Sequence, residues 1–196
     1  MAGSAAIGYV SQSLKQMLTL AFTDAGPFIG TTVELRSPKE IGTPAGGANV
    51  ISLWLYRVER FSELENRPSR PDRAGRLVPA PLPLMLYYLL TPLTADELTA
   101  QRLLGHAMQA LEAHKRLGPE FTHVELRGSA EELLKIHLEQ KSFEESLRIW
   151  HGMHEPYRLS VSYFVQYVAI DSLRSMEAAD PVVDRTVRYQ QVVEVQ

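Results

Sequence analysis

The first part of the chain carries apolar residues three and four positions apart, which is the spacing of one face of an α-helix. This pattern predicts an amphipathic N-terminal helix that ends near Asp24, Gly26 and Pro27, because glycine and proline interrupt helices. The residues expected on its buried face are Ile7, Val10, Leu14, Met17, Leu18 and Ala21.

Two later segments are apolar on both faces, which is typical of strands inside a sheet. Asn49 to Arg60 places Trp54, Tyr56 and Val58 on one face and Ile51, Leu53 and Leu55 on the other. Leu82 to Leu90 is the most apolar stretch of the sequence. We therefore predict two central strands.

Two further strands are predicted from shorter or more polar patterns. Thr31 to Arg36 is rich in β-prone residues and precedes a loop rich in proline and glycine, Ser37 to Ala48. Tyr157 to Ile170 alternates between an apolar face and a more polar one. Its apolar face is expected to contain Leu159, Val161, Tyr163, Val165 and Tyr167.

Three pairs of a hydroxyl residue and a glutamate three positions later predict helix starts, because the two side chains can cap each other's backbone N–H groups. These pairs are Thr94 with Glu97, Ser129 with Glu132, and Ser142 with Glu145. The first predicts the longer central helix, ending near Gly118 and Pro119, and the other two predict short helices. In the last helix we expect Phe143, Leu147 and Trp150 to share a face, with Gly152 at its end.

These elements predict an α/β fold of the α+β type. A mostly antiparallel sheet would be flanked by the N-terminal helix, one longer central helix and two short helices. The length of 196 residues and an apolar content of 45% favour one domain, which we assign to residues 1–171. Residues 172–196 are predicted to be a linker and a C-terminal strand that acts as a contact arm.

The contact arm is predicted from the alternation of apolar and polar residues in its last segment, Val183 to Val195, which is typical of an amphipathic strand. Either it pairs within its own sheet, or it adds to the sheet edge of a neighbouring molecule. The residues that we predict to make contacts are Val183, Arg185, Val187, Arg188, Tyr189, Val193 and Val195.

A long loop, Phe61 to Pro81, is a second predicted contact region, because loops of this length in a compact domain are usually functional or disordered. We call its basic part the arginine loop and define it by Arg67, Arg70, Arg73 and Arg76. Its prolines also have the spacing of a polyproline ligand. A solvated or subunit-contacting loop is the favoured interpretation, since surface arginine is more often a contact residue than a ligand for a recognition module.

Composition narrows the classes of partner and the compartment. The net charge of −3 and a pI near 6.1 lack the basic character of a nucleic-acid-binding protein. The absence of cysteine excludes disulfides and thiolate chemistry and suits a reducing compartment. The start of the chain does not resemble a signal peptide, and the most apolar run is too short to cross a bilayer. We therefore expect synthesis and assembly in the cytoplasm, without membrane insertion.

Candidate chemistry is sparse. The nearest approach to a metal motif is His151, His154 and Glu155, but its histidines are three residues apart, whereas a zinc hydrolase helix uses a spacing of four. We interpret these residues as a polar helix end and keep a metal-dependent hydrolase as the less favoured alternative. We predict no catalytic residue, no cofactor and no metal ligand.

Several segments together resemble one known family. They are Ser52-Leu-Trp-Leu-Tyr-Arg-Val-Glu59 with the following Asn66-Arg67, Pro81-Leu-Pro-Leu-Met-Leu-Tyr-Tyr-Leu-Leu-Thr91, Arg102-Leu-Leu-Gly105, and Ile149-Trp150 leading to Tyr157-Arg-Leu-Ser-Val-Ser-Tyr163. Their order and spacing are similar to those of the N-terminal domain of cap proteins, the sheath or tail terminators of phage-tail-like contractile injection systems. The resemblance extends from about Ser11 to Ile170.

The resemblance implies a structural function. Such caps assemble as a homohexameric ring on the last layer of the inner tube and the contractile sheath, where they end polymerisation and fix length. The implied partners are other copies of the chain, a sheath protein and an inner tube protein, in a particle that is either released or docked at a membrane. Another tail, tube or baseplate subunit is the alternative within the same kind of particle.

Overall fold

The first helix of the computed structural model, α1, spans Ala6–Ala21 and confirms the predicted amphipathic helix. The structure describes residues 3–23, 25–64, 68–71, 76–127, 134–173 and 177–178. Val10, Leu14, Met17 and Leu18 of the predicted apolar stripe lie in the main core, together with Phe22 just after the helix. Ile7 packs against this core, and Ala21 is half-buried outside it. Ser11 on the same face shares a hydrogen bond of 2.8 Å with the hydroxyl of Tyr88, so this buried tyrosine has a polar partner.

Five strands form the main sheet, with the order β1-β2-β5-β7-β6. Neighbouring strands are antiparallel except for β1 and β2, which are parallel. The mixed fold with a mostly antiparallel sheet is therefore confirmed. In chain order the described strands are β1 (Thr32–Glu34), β2 (Val50–Arg60), β3 (Arg70–Pro71), β4 (Arg76–Val78), β5 (Leu82–Leu93), β6 (Lys135–Glu139), β7 (Val161–Ile170) and β8 (Glu177–Ala178).

The remaining described helices are α2 (Pro38–Ile41), α3 (Glu97–Ala113) and α4 (Phe143–Met153). The short helix α2 lies in the predicted loop and starts with a capping box between Ser37 and Glu40. The predicted cap of α3 was wrong, because Asp96 and not Thr94 accepts the hydrogen bond from Thr99 N at 2.9 Å. The capping box of Ser142 with Glu145 is confirmed at the start of α4.

The main sheet has one face covered by α1 and α3, which we call the helix face, and a second face partly covered by α4. Alternate residues of β5, including Leu86, Tyr88 and Leu90, belong to the large core on the helix face. Leu89 belongs to a smaller cluster with Trp150 and Met153 of α4 on the second face. The strand β5 is thus buried on both faces, as its sequence predicted.

Two β-bulges correct the predicted faces of the strands. In β2 the pairing with β5 shifts between Leu55 and Arg57, so Val58 pairs with Leu86 and lies on the helix face instead of beside Trp54. In β7 the shift opposite Met85 leaves Tyr167 in a left-handed conformation with φ +68°, and Val168 takes the buried position. Because a bulge inserts one residue, it reverses the alternation of every residue after it.

The structure shows a strand that the sequence did not predict, since Lys135–Glu139 forms the edge strand β6. The short helix predicted from Ser129 and Glu132 stays a prediction, because both residues lie outside the described residues. The strand β6 pairs in register with β7, for example Ile136 with Val165. Pairing with the distant strand β7 determines the extended conformation of Lys135–Glu139, and local capping signals contain no information about such pairing.

A second, smaller unit consists of residues 67–80 and 173–196. Its described strands form a three-stranded antiparallel sheet with the order β3-β4-β8. Arg76 pairs with Ala178, and Leu77 pairs with Glu177 on one side and Pro71 on the other.

Within the described residues, none of the helices has the length and apolar character needed to cross a bilayer.

Candidate assembly interface

The two contact regions predicted from the sequence are joined in the smaller unit. Arg70 starts β3 and Arg76 starts β4, and β4 pairs with β8 from the segment after residue 172. Arg67 and Arg73 lie outside the described residues, as does the whole predicted terminal strand with Val183, Arg185, Val187, Arg188, Tyr189, Val193 and Val195. The contact roles of these residues therefore stay predictions, whereas the pairing of the arginine loop with the C-terminal segment is observed.

A cluster of polar residues, which we call the Glu139 cluster, lies on the second face of the main sheet. The carboxylate of Glu139 accepts hydrogen bonds from Tyr56 Oη at 2.9 Å, Arg57 Nη2 at 3.0 Å, Lys141 Nζ at 2.8 Å and Ser162 Oγ at 2.5 Å. Its members come from β2, from β6 with the residues that follow it, and from β7. The cluster therefore ties these strands to the start of α4.

The cluster holds its charges in their ionised forms. Partial burial alone would raise the pKa of Glu139, but hydrogen bonds from Lys141, Ser162 and Tyr56 outweigh it, so this pKa lies below its ordinary value. Burial alone would lower the pKa of Lys141, yet the hydrogen bond to Glu139 leaves it raised. Burial is the main cause of the raised pKa of Tyr56, so its phenol stays protonated and donates to the carboxylate.

Aromatic rings form a row beside this cluster across four adjacent strands. Ring centroids are 6.4 Å apart between Tyr56 and Tyr87, 5.7 Å between Tyr87 and Phe164, and 5.0 Å between Phe164 and His137. The guanidinium of Arg57 lies 3.8 Å above the ring of Tyr87. Burial, followed by a hydrogen bond to Glu59, raises the pKa of Tyr87 to about 12.

Sequence reasoning missed this cluster, because its members are far apart along the chain. Ser162 belongs to the more polar face of the predicted strand Tyr157 to Ile170, but nothing local connects it with Tyr56 or Glu139. The available signal was a charged residue, Arg57, within an otherwise apolar strand. Buried and half-buried charges need partners, so such a residue predicts a carboxylate on a neighbouring strand.

The exchange Glu139→Gln tests the Glu139 cluster. It removes the negative charge that faces Arg57 and Lys141, and we expect the free energy of unfolding to fall by about 1–3 kcal/mol at neutral pH. Because the pKa of Glu139 is lowered in the folded state, its stabilising effect is present above its unfolded pKa of about 4.3 and is lost at lower pH. Urea unfolding at several pH values should show the two proteins converging below about pH 4.

The control for this experiment is Glu112→Gln. Glu112 pairs with Lys115 at the surface, where both side chains are more than half exposed, so we expect a change below about 1 kcal/mol. If both exchanges had the same small effect, the cluster would not stabilise the fold.

The residues of the alternative metal motif lie at the end of α4. His154 has a left-handed backbone conformation with φ +57°. Its backbone N–H donates a hydrogen bond of 2.9 Å to the carbonyl oxygen of His151. This residue, and not the predicted Gly152, is the C-cap of the helix. In the described part of the chain, no group of three histidine or acidic side chains is placed to hold a metal ion.

Two solved structures have a fold similar to that of this chain. The chain is similar to the sheath/tube terminator of an extracellular contractile injection system, PVC, in its extended state, with a TM-score of 0.65 and 19% identity over 97% of this chain and 65% of that one. It is also similar to the tube-terminating cap of the anti-feeding prophage, with a TM-score of 0.61 and 17% identity over 92% of this chain and 60% of that one. The fold is thus that of terminator subunits, and the chain spans less than two thirds of their length.

The sequence itself defines the family. Residues 9–184 match the Pvc16 N-terminal domain, so the chain belongs to the Pvc16 N-terminal domain family. The resemblance inferred from the sequence is confirmed. No curated protein matches the chain.

Proposed function

We propose that this chain is a structural cap subunit of a contractile injection system, which forms a ring on the distal end of the tube and sheath. The observation that carries the proposal is the family match over residues 9–184, supported by the fold shared with the PVC terminator and the anti-feeding prophage cap. On this proposal the protein ends polymerisation and fixes particle length. Its work is contact between folded surfaces, without catalysis.

The physical reason for such a subunit lies in the symmetry of filaments. A tube or sheath grows through a heterologous contact that never closes, so each added layer offers the same surface to the next. A terminator must bind that surface and offer no further copy of it. A closed ring of cap subunits meets this requirement.

The smaller unit is the part that we assign to contacts with sheath, tube or neighbouring caps. This unit has fewer than roughly 40 residues. Units of that size usually need disulfides, metals or association for stability, and the sequence has no cysteine. Its described strands are only two or three residues long, and a sheet of such strands has little apolar surface to bury. Contact with other protein surface would supply the missing stability.

Electron microscopy of purified particles tests the proposal. Particles made without this chain should have a broad distribution of lengths, and a tag on the chain should label only the end distal to the baseplate. Label along the whole particle, or at the baseplate, would favour the alternative of a tube or baseplate subunit. Unchanged length without the chain would contradict the proposal.

Two measurements on the purified chain separate the remaining alternatives. Closed hexamers or weakly associating monomers fit a cap, whereas long tubes fit a polymerising subunit. Stoichiometric zinc or iron, with a turnover that depends on His151 or Glu155, would favour the metal-dependent hydrolase.

A further inference from the structure

We propose that the outer edge of β6 binds residues 183–195 of a second copy of this chain as an added strand. This inference rests on the proposed cap function, in which copies of the chain form a ring. It goes further by naming the surface that receives the terminal strand and by assigning that strand to a neighbouring subunit.

In the part of the chain that the structure describes, the edge of β6 is covered along its first residues. Leu117 N donates to Leu134 O at 2.9 Å, and Ile136 N donates to Lys115 O at 2.7 Å. These hydrogen bonds end at Lys115, because the residues that precede Lys115 belong to the C-terminal end of α3. A strand that pairs with the rest of the edge would therefore come from another segment.

The direction of the next backbone groups follows from these bonds. In an antiparallel sheet the N–H and C=O groups of successive residues point alternately to the two neighbouring strands. The C=O of Leu134 and the N–H of Ile136 point away from β7. The N–H and C=O of Leu138 therefore point away from β7 too, whereas those of His137 and Glu139 point toward it. Among the described residues, neither the N–H nor the C=O of Leu138 has a hydrogen-bond partner.

The side chains of β6 specify what kind of strand can dock. Ile136 is buried and Leu138 is 48% exposed, and both lie on the helix face, since they pair with the buried Val165 and Tyr163. Lys135, His137 and Glu139 lie on the second face. A strand that extends the sheet here must be amphipathic in the same sense, with apolar residues beside Leu138 and polar residues beside His137.

Residues 183–195 have this pattern with three exceptions. On an extended chain Val183, Val187, Tyr189, Val193 and Val195 fall on one side together with Arg185 and Gln191, whereas Asp184, Thr186, Arg188, Gln190 and Glu194 fall on the other side together with Val192. At about 3.3 Å per residue the segment is longer than the open part of the β6 edge, so it can add backbone hydrogen bonds and cover Leu138 in the same contact. Backbone pairing gives affinity, and the apolar side chains select the register.

The other edge of the sheet is less suitable. β1 covers only Val50 to Ser52 of β2, but further along β2 has the bulge at Tyr56 and Arg57 and the charged residue Glu59. Bulges and charged side chains are the features that protect natural edge strands from pairing. A docked strand could not keep one register across the bulge.

A second copy is the occupant that fits a terminator. Each subunit offers one β6 edge and one terminal strand, so the contact is head to tail, and it forms a ring when the rotation between neighbours brings the last subunit onto the first. In a closed ring every edge is filled and no strand is left over. The association then limits itself without any further component.

Disulfide crosslinking tests the inference directly, since the natural chain has no cysteine. Full-length chains with Leu138→Cys are mixed with chains that carry Val187→Cys, Tyr189→Cys, Thr186→Cys or Arg188→Cys, both as purified protein at high concentration and in particles. We expect at least about tenfold more covalent dimer with the cysteines at 187 or 189, because a disulfide needs Cα atoms within about 7 Å and Cβ atoms that point together. Equal yields for all four positions, or no dimer, would overturn the inference.

A second experiment removes the backbone donor while leaving the fold intact. In chains with His137→Cys, crosslinking to chains with Arg188→Cys should fall by about tenfold when Leu138→Pro is added, because proline has no N–H to offer. Proline is tolerated at outward-facing edge positions, so circular dichroism and the melting temperature should stay close to those of the matched control Leu138→Ala, which keeps the crosslink. Crosslinks unaffected by the proline would overturn the role of the edge.

Two outcomes separate this inference from the cap function. A chain with cysteines at both 138 and 187 that closes a disulfide within one molecule, with no dimer, would assign the strand to its own sheet and overturn the inference. Particles of normal length, capped at the distal end, without any covalent dimer would overturn the inference while the cap function stands. Absence of the chain from the distal end would contradict the cap function whatever the crosslinks show.

Discussion

Deleting residues 182–196 is expected to leave a folded protein that no longer caps particles. The main sheet, its helices and its core lie within residues 3–172, so the deletion removes nothing from them. It does remove the alternating segment that we assign to contact with a neighbouring subunit. Particles assembled with the truncated chain should therefore have the broad length distribution of particles that lack the protein.

Length is measured by electron microscopy, and the fold is checked by circular dichroism and thermal unfolding of the purified truncated chain. A matched control is the full-length chain with Val187→Ile and Val193→Ile, which keeps the apolar alternation and should cap normally. Normal lengths with the truncated chain would show that the terminal segment is dispensable. Loss of the fold in the truncated chain would show that the segment belongs to the core.

Replacing Trp150 by alanine is expected to cause the largest loss of stability, about 3–5 kcal/mol. Trp150 is 1% exposed and packs with Leu89 and Met153 where α4 covers the second face of the sheet. Its Nε1 also donates to Ser160 Oγ at 3.1 Å. The exchange leaves a cavity, removes this hydrogen bond and weakens the contact that holds α4 on the sheet.

The matched control is Phe143→Ala on the same helix. Phe143 was predicted to share a face of α4 with Trp150. Its side chain is 62% exposed, and its ring meets that of Tyr157 edge-on with the ring centroids 5.2 Å apart. We therefore expect a change below about 1 kcal/mol in the free energy of unfolding. Urea unfolding of both variants measures the difference, and equal losses would mean that α4 is not anchored through Trp150.

The helices and central strands were predictable because their signals are local. The apolar stripe of α1 and the capping box of Ser142 with Glu145 depend on residues within a few positions of one another. The strands β2 and β5 were predictable from apolar runs that supply residues to both faces of a sheet. The family resemblance was also carried by the sequence, and the match over residues 9–184 confirms it.

The features that the sequence did not predict depend on pairing or packing between distant segments. β6 forms a strand because Lys135–Glu139 fits beside β7, although its neighbourhood carries a helix-capping signal. The bulges at Tyr56 and Tyr167 reverse the faces of the residues that follow, and a regular period of two cannot show them. The exposure of Phe143 likewise depends on which surface is left uncovered after α4 has docked.

The candidate interface shows the same division. The sequence singled out the arginine loop and the terminal segment, and the structure pairs the loop with the start of that segment in β4 and β8. The Glu139 cluster and the outward-facing backbone of Leu138 had no sequence signature of their own, since a hydrogen-bonding direction exists only once a strand has a partner. By itself the sequence determined the helices, the central strands and the family, because these follow from local spacing and residue order. The register, the faces after each bulge, the ionic cluster and the open sheet edge were decided only by the tertiary structure, because each depends on contacts between residues far apart in the chain.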